Sequence, residues 1–182
     1  TTPMKLRRDA LAGAAMFVLA AEVVGQNTPG LVATVGTLAV SPGAPNVIPG
    51  EVVLSLDVRH SDDAVRKAAL KTLLEGAKLI ARERKLKWSW QVTQDNPAVA
   101  CDLALTAALE ASVRARQGRS LALVSGAGHD AVVMSAVTPV AMLFVRCREG
   151  LSHHPDEYAS PADIAVALRT MVDFLERLAR LR

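Results

Sequence analysis

The sequence predicts an α/β protein in two parts: a two-layer α+β unit over residues 1–97, then part of a layered α/β domain over residues 98–182. Three observations predict it. Residues 51–59 alternate, with Val52, Leu54, Leu56 and Val58 on one face and Glu51, Ser55, Asp57 and Arg59 on the other, as a half-buried antiparallel strand does. Residues 121–124 and 140–145 are instead continuous apolar runs between helical stretches, the pattern of strands covered on both faces. Asn96-Pro97 punctuates the chain between these two regimes.

In the first part, Thr2-Pro3 offers an N-cap and a proline at the first helical position. A helix is expected from there to about residue 24, with Leu6, Ala10, Phe17, Val18 and Ala21 on its buried stripe. The run QNTPG from Gln26 ends it. Residues 31–40 have strand composition, and SPGAP from Ser41 breaks that strand before the alternating one begins. Ser61-Asp62-Asp63 then cap a helix to about residue 84, with Val65, Ala69, Leu73, Gly76 and Ile80 as its stripe. Trp88, Trp90 and Val92 alternate as a last short strand. The order is α-β-β-α-β, and a leading strand, which would precede Thr1, would complete a β-α-β-β-α-β pattern. A chain that opens at a helix cap without an initiating methionine reads as a piece of a longer sequence.

The second part reads as a helix over 102–116, a strand over 121–124, a helix over 130–137, a strand over 140–145 and a helix over 161–181. The loops after the two strands carry His129 and Asp130, and His153 and His154. Both leave the carboxyl ends of strands that read as parallel, the edge of an open α/β sheet where ligands bind. Two strands make no stable sheet, so this part is expected to pair with strands from elsewhere in a longer chain or from a partner chain.

Composition narrows the classes of function. Of the 182 residues, 51% are hydrophobic, enough for a buried core and too many for general disorder. The net charge of +3 is dispersed, apart from residues 82–87 and the terminal Arg177, Arg180 and Arg182. No aromatic side chains interleave with those cations, so no nucleic-acid surface is expected. KLRR followed by LAGAAMFVLA imitates a signal peptide, but Asp9 sits at the junction where such peptides avoid acid. Only residues 10–21 escape charge, about 12 where a membrane span needs about 20, so no membrane role is expected. Cys101 and Cys147 form no spacing motif, which suits a reducing compartment and predicts a cytoplasmic protein.

The residues alone leave several chemistries open. SGAGHDA, from Ser125, follows a strand and opens a helix like a dinucleotide fingerprint, with Glu149 about 20 residues on. Against that reading, Asp130 would face the pyrophosphate, and only one more helix follows. A serine triad could draw on Ser125, His129 or His153, and Asp130, although no G-x-S-x-G elbow is present. Metal ligation could use His153 or His154 with Asp156 or Glu157, but a hydrolytic site needs at least three protein ligands per metal. Asn46 before a proline turn and Arg59 at a strand end have ordinary structural readings.

Four ordered motifs go further. TTPMKLRRDAL, NVIPGEVVLSLDVR, SGAGHDA and GLSHHPDEY resemble, in order and spacing across the whole chain, the amidohydrolases of the M20 metallopeptidase group. The nearest likeness is to allantoate amidohydrolase and N-carbamoyl-L-amino-acid hydrolase, with β-ureidopropionase close by.

The resemblance implies a zinc-peptidase-like α/β catalytic domain interrupted by an inserted lid that forms a dimer interface. Residues 1–97 then look like the lid and dimerisation domain without its first strand, and residues 98–182 like the carboxyl-terminal part of the catalytic domain. It implies two divalent ions, zinc or manganese, in each complete site. Of their ligands only the histidine of S-H-x-P-x-E-Y maps onto this chain, at His153, and His154 falls where that motif varies. It implies that Asn46 and Arg59 bind the substrate carboxylate, the arginine reaching across from the partner subunit, and that Gly128 and His129 line the substrate pocket. The chemistry agrees, because a guanidinium suits a carboxylate two-pronged and a glycine lets a backbone N–H approach a ligand. No catalytic residue is expected within this chain, since the glutamate base and the other metal ligands of the family lie upstream of the matching motifs. The expected reaction is metal-assisted hydrolysis of the ureido C–N bond of allantoate or an N-carbamoyl amino acid. The expected partners are a small ureido acid and a homodimer through the lid, or else the missing N-terminal catalytic part. The truncated chain is expected to be inactive alone. The alternative is a non-catalytic lid module that binds a partner chain.

Overall fold

A computed structural model describes residues 1–180. The chain divides into two compact units, the first Thr1–Ala98 and the second beginning at Val99. The whole is mixed α/β with small sheets.

The first helix starts later than Thr2-Pro3 predicts. Met4–Leu6 form a single 3-10 turn, Arg7 is extended, and α1 (Ala10–Asn27) is capped by Asp9, whose carboxylate accepts the Ala12 N–H at 3.0 Å. An aspartate satisfies an orphan helix donor better than a threonine does, so the cap with the carboxylate wins. Leu6 therefore lies outside the helix and is exposed, while Gly13, Ala14, Phe17 and Ala21 form the buried face. α1 has 18 residues of mean hydropathy 1.4, long and apolar enough to cross a membrane by composition, because its one charge, Glu22, does not interrupt it as the shorter apolar count supposed. Its buried face packs into the core of this unit.

The expected strand over 31–40 is two strands. β1 (Val32–Thr34) pairs antiparallel with β4 (Asp57–Arg59), and β2 (Leu38–Ser41) with β3 (Glu51–Leu54). The register changes between them: Thr34 faces Asp57, but Leu38 faces Leu54. Three residues, Val35-Gly36-Thr37, therefore oppose two, Ser55-Leu56, which is a bulge with one extra residue. Ser55 stitches it, its Oγ accepting the Thr37 N–H at 3.0 Å and its own N–H reaching the Thr37 carbonyl at 3.1 Å. The alternation over 51–59 survives the bulge. Leu54, Leu56 and Val58 turn toward Phe17, Ala21 and Leu73, and the odd-numbered residues stay exposed.

α2 (Asp63–Glu83) is capped by Asp62, which accepts the Ala64 N–H at 2.7 Å, and it buries Ala69, Leu73 and Ala81. Leu73 completes the core with Phe17 and Ala21. The expected strand at Trp88, Trp90 and Val92 does not form. All three are exposed and no ladder reaches them among the described residues, so the alternation marks a strand without a neighbour to bond. The segment after them is tied back to α2 instead: Arg66 binds Asp95 at 2.7 Å and Asp63 at 3.0 Å, and Asp63 accepts the Ala98 N–H at 3.2 Å.

In the second unit α3 (Leu103–Gln117) is capped by Asp102 and ends at Gly118, whose φ of 74° is the left-handed conformation a C-terminal glycine supplies. It packs against α5 (Pro161–Arg180) through Leu109, Ser112, Thr170 and Phe174. The two buried hydroxyls each donate back to their own helix, Ser112 to the Ala108 carbonyl and Thr170 to that of Val166, so close packing leaves neither unsatisfied. The predicted end of α5 at Leu181 lies outside the described residues. Residues 121–124 and 140–145, expected as strands, join no ladder among the described residues. α4 (Asp130–Met134) lies between them and stops short of the expected residue 137.

Candidate functional site

Gly128 and His129 lie together in the second unit. They line a shallow depression of about 440 Å3 with Asp130, Ala131, Met142, Leu143 and Phe144. The His129 imidazole meets the Phe144 ring edge to face, centroids 6.2 Å apart and planes at 72°, which sets the imidazole against one wall. A Cβ on Gly128 would touch nothing within 4 Å, so the packing of the chain itself gives no reason for glycine there. The local geometry removes two of the open readings. Ser125 Oγ donates to the Ala127 carbonyl at 3.0 Å and accepts the Ala127 N–H at 3.3 Å, a turn of its own loop rather than a serine–imidazole pair. The five-residue α4 is too short to form the phosphate-binding helix of a dinucleotide fold.

His153 and His154 stand exposed on the loop between residues 148 and 158. The loop is closed at its base, where the Arg148 N–H donates to the Tyr158 carbonyl at 2.8 Å and the Arg148 guanidinium lies 4.5 Å from the Tyr158 ring centroid. His153 has φ of 57°, a left-handed backbone that histidine adopts more readily than most side chains do. Its N–H is held by the Glu157 carboxylate at 2.8 Å. The His154 Nδ1 accepts the Asp156 N–H at 3.2 Å. His153 is not among the residues that line the Gly128–His129 depression.

Asn46 and Arg59 belong to the first unit. Asn46 is exposed in the loop that joins β2 to β3, and Arg59 ends β4 opposite Val32, so the two leave the strand ribbon at opposite ends. Arg59 grips Asp57 two-pronged, with Nε 2.7 Å from one carboxylate oxygen and Nη2 2.7 Å from the other. The hydrogen bond from Arg59 holds the Asp57 carboxyl below the usual carboxylate range, and the same bond raises the guanidinium in turn.

No group of three or more histidine, cysteine, aspartate or glutamate side chains that could hold a metal ion occurs among the described residues. His153 is a single donor, and it does not make a metal site by itself.

A family model described as Peptidase family M20/M25/M40 matches residues 9–177. The chain belongs to this family. Over 203 residues it is 36% identical to an allantoate deiminase of Arabidopsis thaliana, covering 97% of this chain and 39% of that protein. Over 175 residues it is 35% identical to an N-carbamoyl-L-amino-acid amidohydrolase of Pseudomonas sp. (strain NS671), covering 95% of this chain and 42% of the relative. Its fold superposes with a TM-score of 0.89, at 37% identity, on the crystal structure of a hydantoinase/carbamoylase-family amidase from Burkholderia multivorans, covering 97% of this chain and 43% of that one. The chain thus spans about two fifths of the length of the relatives it matches.

Within this M20 chain, three more residues fix the candidates: Asp57 and Glu157, which the sequence reading named in other roles, and His60, which it did not single out. Asp57 shares the polar face of β4 with Arg59 at a spacing of two, a signal that alternation already contained. Glu157 secures the His153 backbone, and only its place in the acidic run after the histidines hinted at that. His60, the fourth histidine, anchors the strand end beside Arg59: its Nδ1 accepts the Asp62 N–H at 2.8 Å and its Nε2 pairs with the Pro29 carbonyl at 3.1 Å. Gly30 permits the approach, since it has φ of 77° and a Cβ there would meet His60 Nε2 at 3.2 Å.

Proposed function

We propose that the chain is the carboxyl-terminal part of a cytoplasmic, metal-dependent amidohydrolase that cleaves the ureido C–N bond of a small acid such as allantoate or an N-carbamoyl amino acid. The observation that carries this reading is the match of residues 9–177 to the M20 family together with relatives named for allantoate and N-carbamoyl amino acids. Arg59 stands on the exposed face of a strand, and a guanidinium pairs with a planar carboxylate two-pronged, as it does here with Asp57. Residues 1–97 act as a lid and dimerisation domain, and residues 98–182 complete the catalytic domain. Arg59 and Asn46 bind the substrate carboxylate, and Gly128 and His129 bound the pocket that holds the ureido end. The placement of Asn46 and Arg59 at opposite ends of the strand ribbon supports a site whose lid residues come from two copies of the chain. His153 contributes one ligand to a pair of divalent ions, zinc or manganese. The described residues hold no group of three or more such side chains, so the remaining ligands of those ions would come from the rest of the enzyme. The chain's own part is to orient the substrate.

Steady-state assay tests the reading. Joined to the remaining three fifths or so of the relatives' length, the enzyme should release ammonia from allantoate or an N-carbamoyl amino acid. Activity should be lost to a chelator and restored by Mn²⁺ or Zn²⁺, while the 182-residue chain alone should give none. No turnover of either substrate by a folded, metal-loaded enzyme would overturn it. The rival reading, a module that binds a partner chain, draws on exposed apolar residues such as Leu121, Leu123 and Val124. It predicts a stable complex and no hydrolysis.

A further inference from the structure

His153 is held at its backbone and open at its ring. Its φ of 57° is a conformation that a residue other than glycine keeps only when its surroundings impose it. The imposing contact is the Glu157 carboxylate, which accepts the His153 N–H at 2.8 Å. Glu157 is anchored in turn by its own N–H, which donates to the His154 carbonyl at 2.9 Å. At the next residue the Tyr158 carbonyl accepts the Arg148 N–H and the Tyr158 ring lies under the Arg148 guanidinium, so the chain is tied at Glu157 and again just after it. No hydrogen bond reaches the His153 imidazole among the described residues, which leaves its nitrogens able to meet a ligand. The neighbouring His154 differs, because its Nδ1 is occupied by the Asp156 N–H at 3.2 Å. The donor chemistry therefore fits one imidazole ligand to a divalent ion at His153, on a backbone that the Glu157 side chain holds.

We propose that Glu157 is a positioning residue for His153: by holding the His153 N–H it keeps the left-handed turn that aims the imidazole at a metal ion, without itself binding the ion. This rests on the reading of His153 as a metal ligand. A ligand aimed in advance spares the ordering cost of binding, so loss of the brace should appear in metal affinity.

The test is the affinity of the full-length enzyme for Zn²⁺, measured by competition between the apoenzyme and a chelator. His153 and Glu157 are both exposed, so substitution at either leaves the core intact. Glu157→Ala should weaken Zn²⁺ binding about tenfold to a hundredfold, the range for removing a group that orients a metal ligand. Glu157→Gln, whose amide oxygen can still accept the His153 N–H but carries no charge, should stay within about threefold of wild type. In the His153→Ala background Glu157→Ala should weaken binding no further, since the two residues act through one contact. The positioning role is wrong and the function stands if His153→Ala weakens binding but Glu157→Ala does not, if Glu157→Gln loses as much as Glu157→Ala, or if the double variant binds more weakly than His153→Ala alone. If His153→Ala itself binds Zn²⁺ as wild type does, the metal reading of His153 fails and takes this inference with it.

Discussion

At the scale of single residues, the pair of Asp57 and Arg59 makes acid stability predictable in sign. The folded pKa of Asp57 lies below its unfolded value of 3.8. The pair therefore contributes its full stabilisation above about pH 4 and loses it as the pH falls through the folded value. With both side chains half exposed, the contribution is about 0.5 kcal/mol. Urea titrations should show wild type more stable than Asp57→Asn by that margin at neutral pH, with the difference shrinking as the pH falls below about 4; a difference that grows in acid would contradict the assignment. Alternation put Asp57 and Arg59 on one face, but the two-pronged contact depends on side-chain torsions that no pattern of residues encodes. The left-handed backbone of His153 was equally illegible, because it is held by a side chain four residues away.

At the scale of elements, the helices were legible and the strands were legible only in part. Helices carry their hydrogen bonds within themselves, so the aspartate at 62 and the apolar stripes of α1 and α2 mark them locally, although α1 is capped by Asp9 and not at the predicted Thr2. Strands need neighbours. The alternation over 51–59 found a partner in 32–41, although the bulge at Val35-Gly36-Thr37 divided each strand in two. Residues 88–92, 121–124 and 140–145 have strand composition and no ladder among the described residues. The core cluster gives this scale its prediction. Leu73 is 2% exposed between Phe17 and the inner face of the strands, so Leu73→Ala should cost about 2–5 kcal/mol in chemical denaturation. Leu38→Ala, on an exposed strand position, should change stability by about 0.5 kcal/mol or less. Equal losses at the two sites would contradict the placement of the core.

At the scale of the whole molecule, the chain is an M20 family member that spans about two fifths of its relatives and divides near residue 98. Motif order made the family legible in the sequence. The site is legible only as separate pieces: an arginine fork on the first unit, and a histidine-lined depression and a braced histidine loop on the second. The central claim is that these pieces hold different parts of one reaction, Arg59 the substrate carboxylate and His153 a metal. The measurement that tests it most directly is metal content beside KM in the full-length enzyme carrying Arg59→Ala, His153→Ala or His154→Ala. The account predicts full metal loading and a binding loss of about 2–5 kcal/mol for Arg59→Ala, depleted metal for His153→Ala, and unchanged metal for His154→Ala. Full loading in His153→Ala with depletion in His154→Ala, or loss of metal in Arg59→Ala, would contradict it.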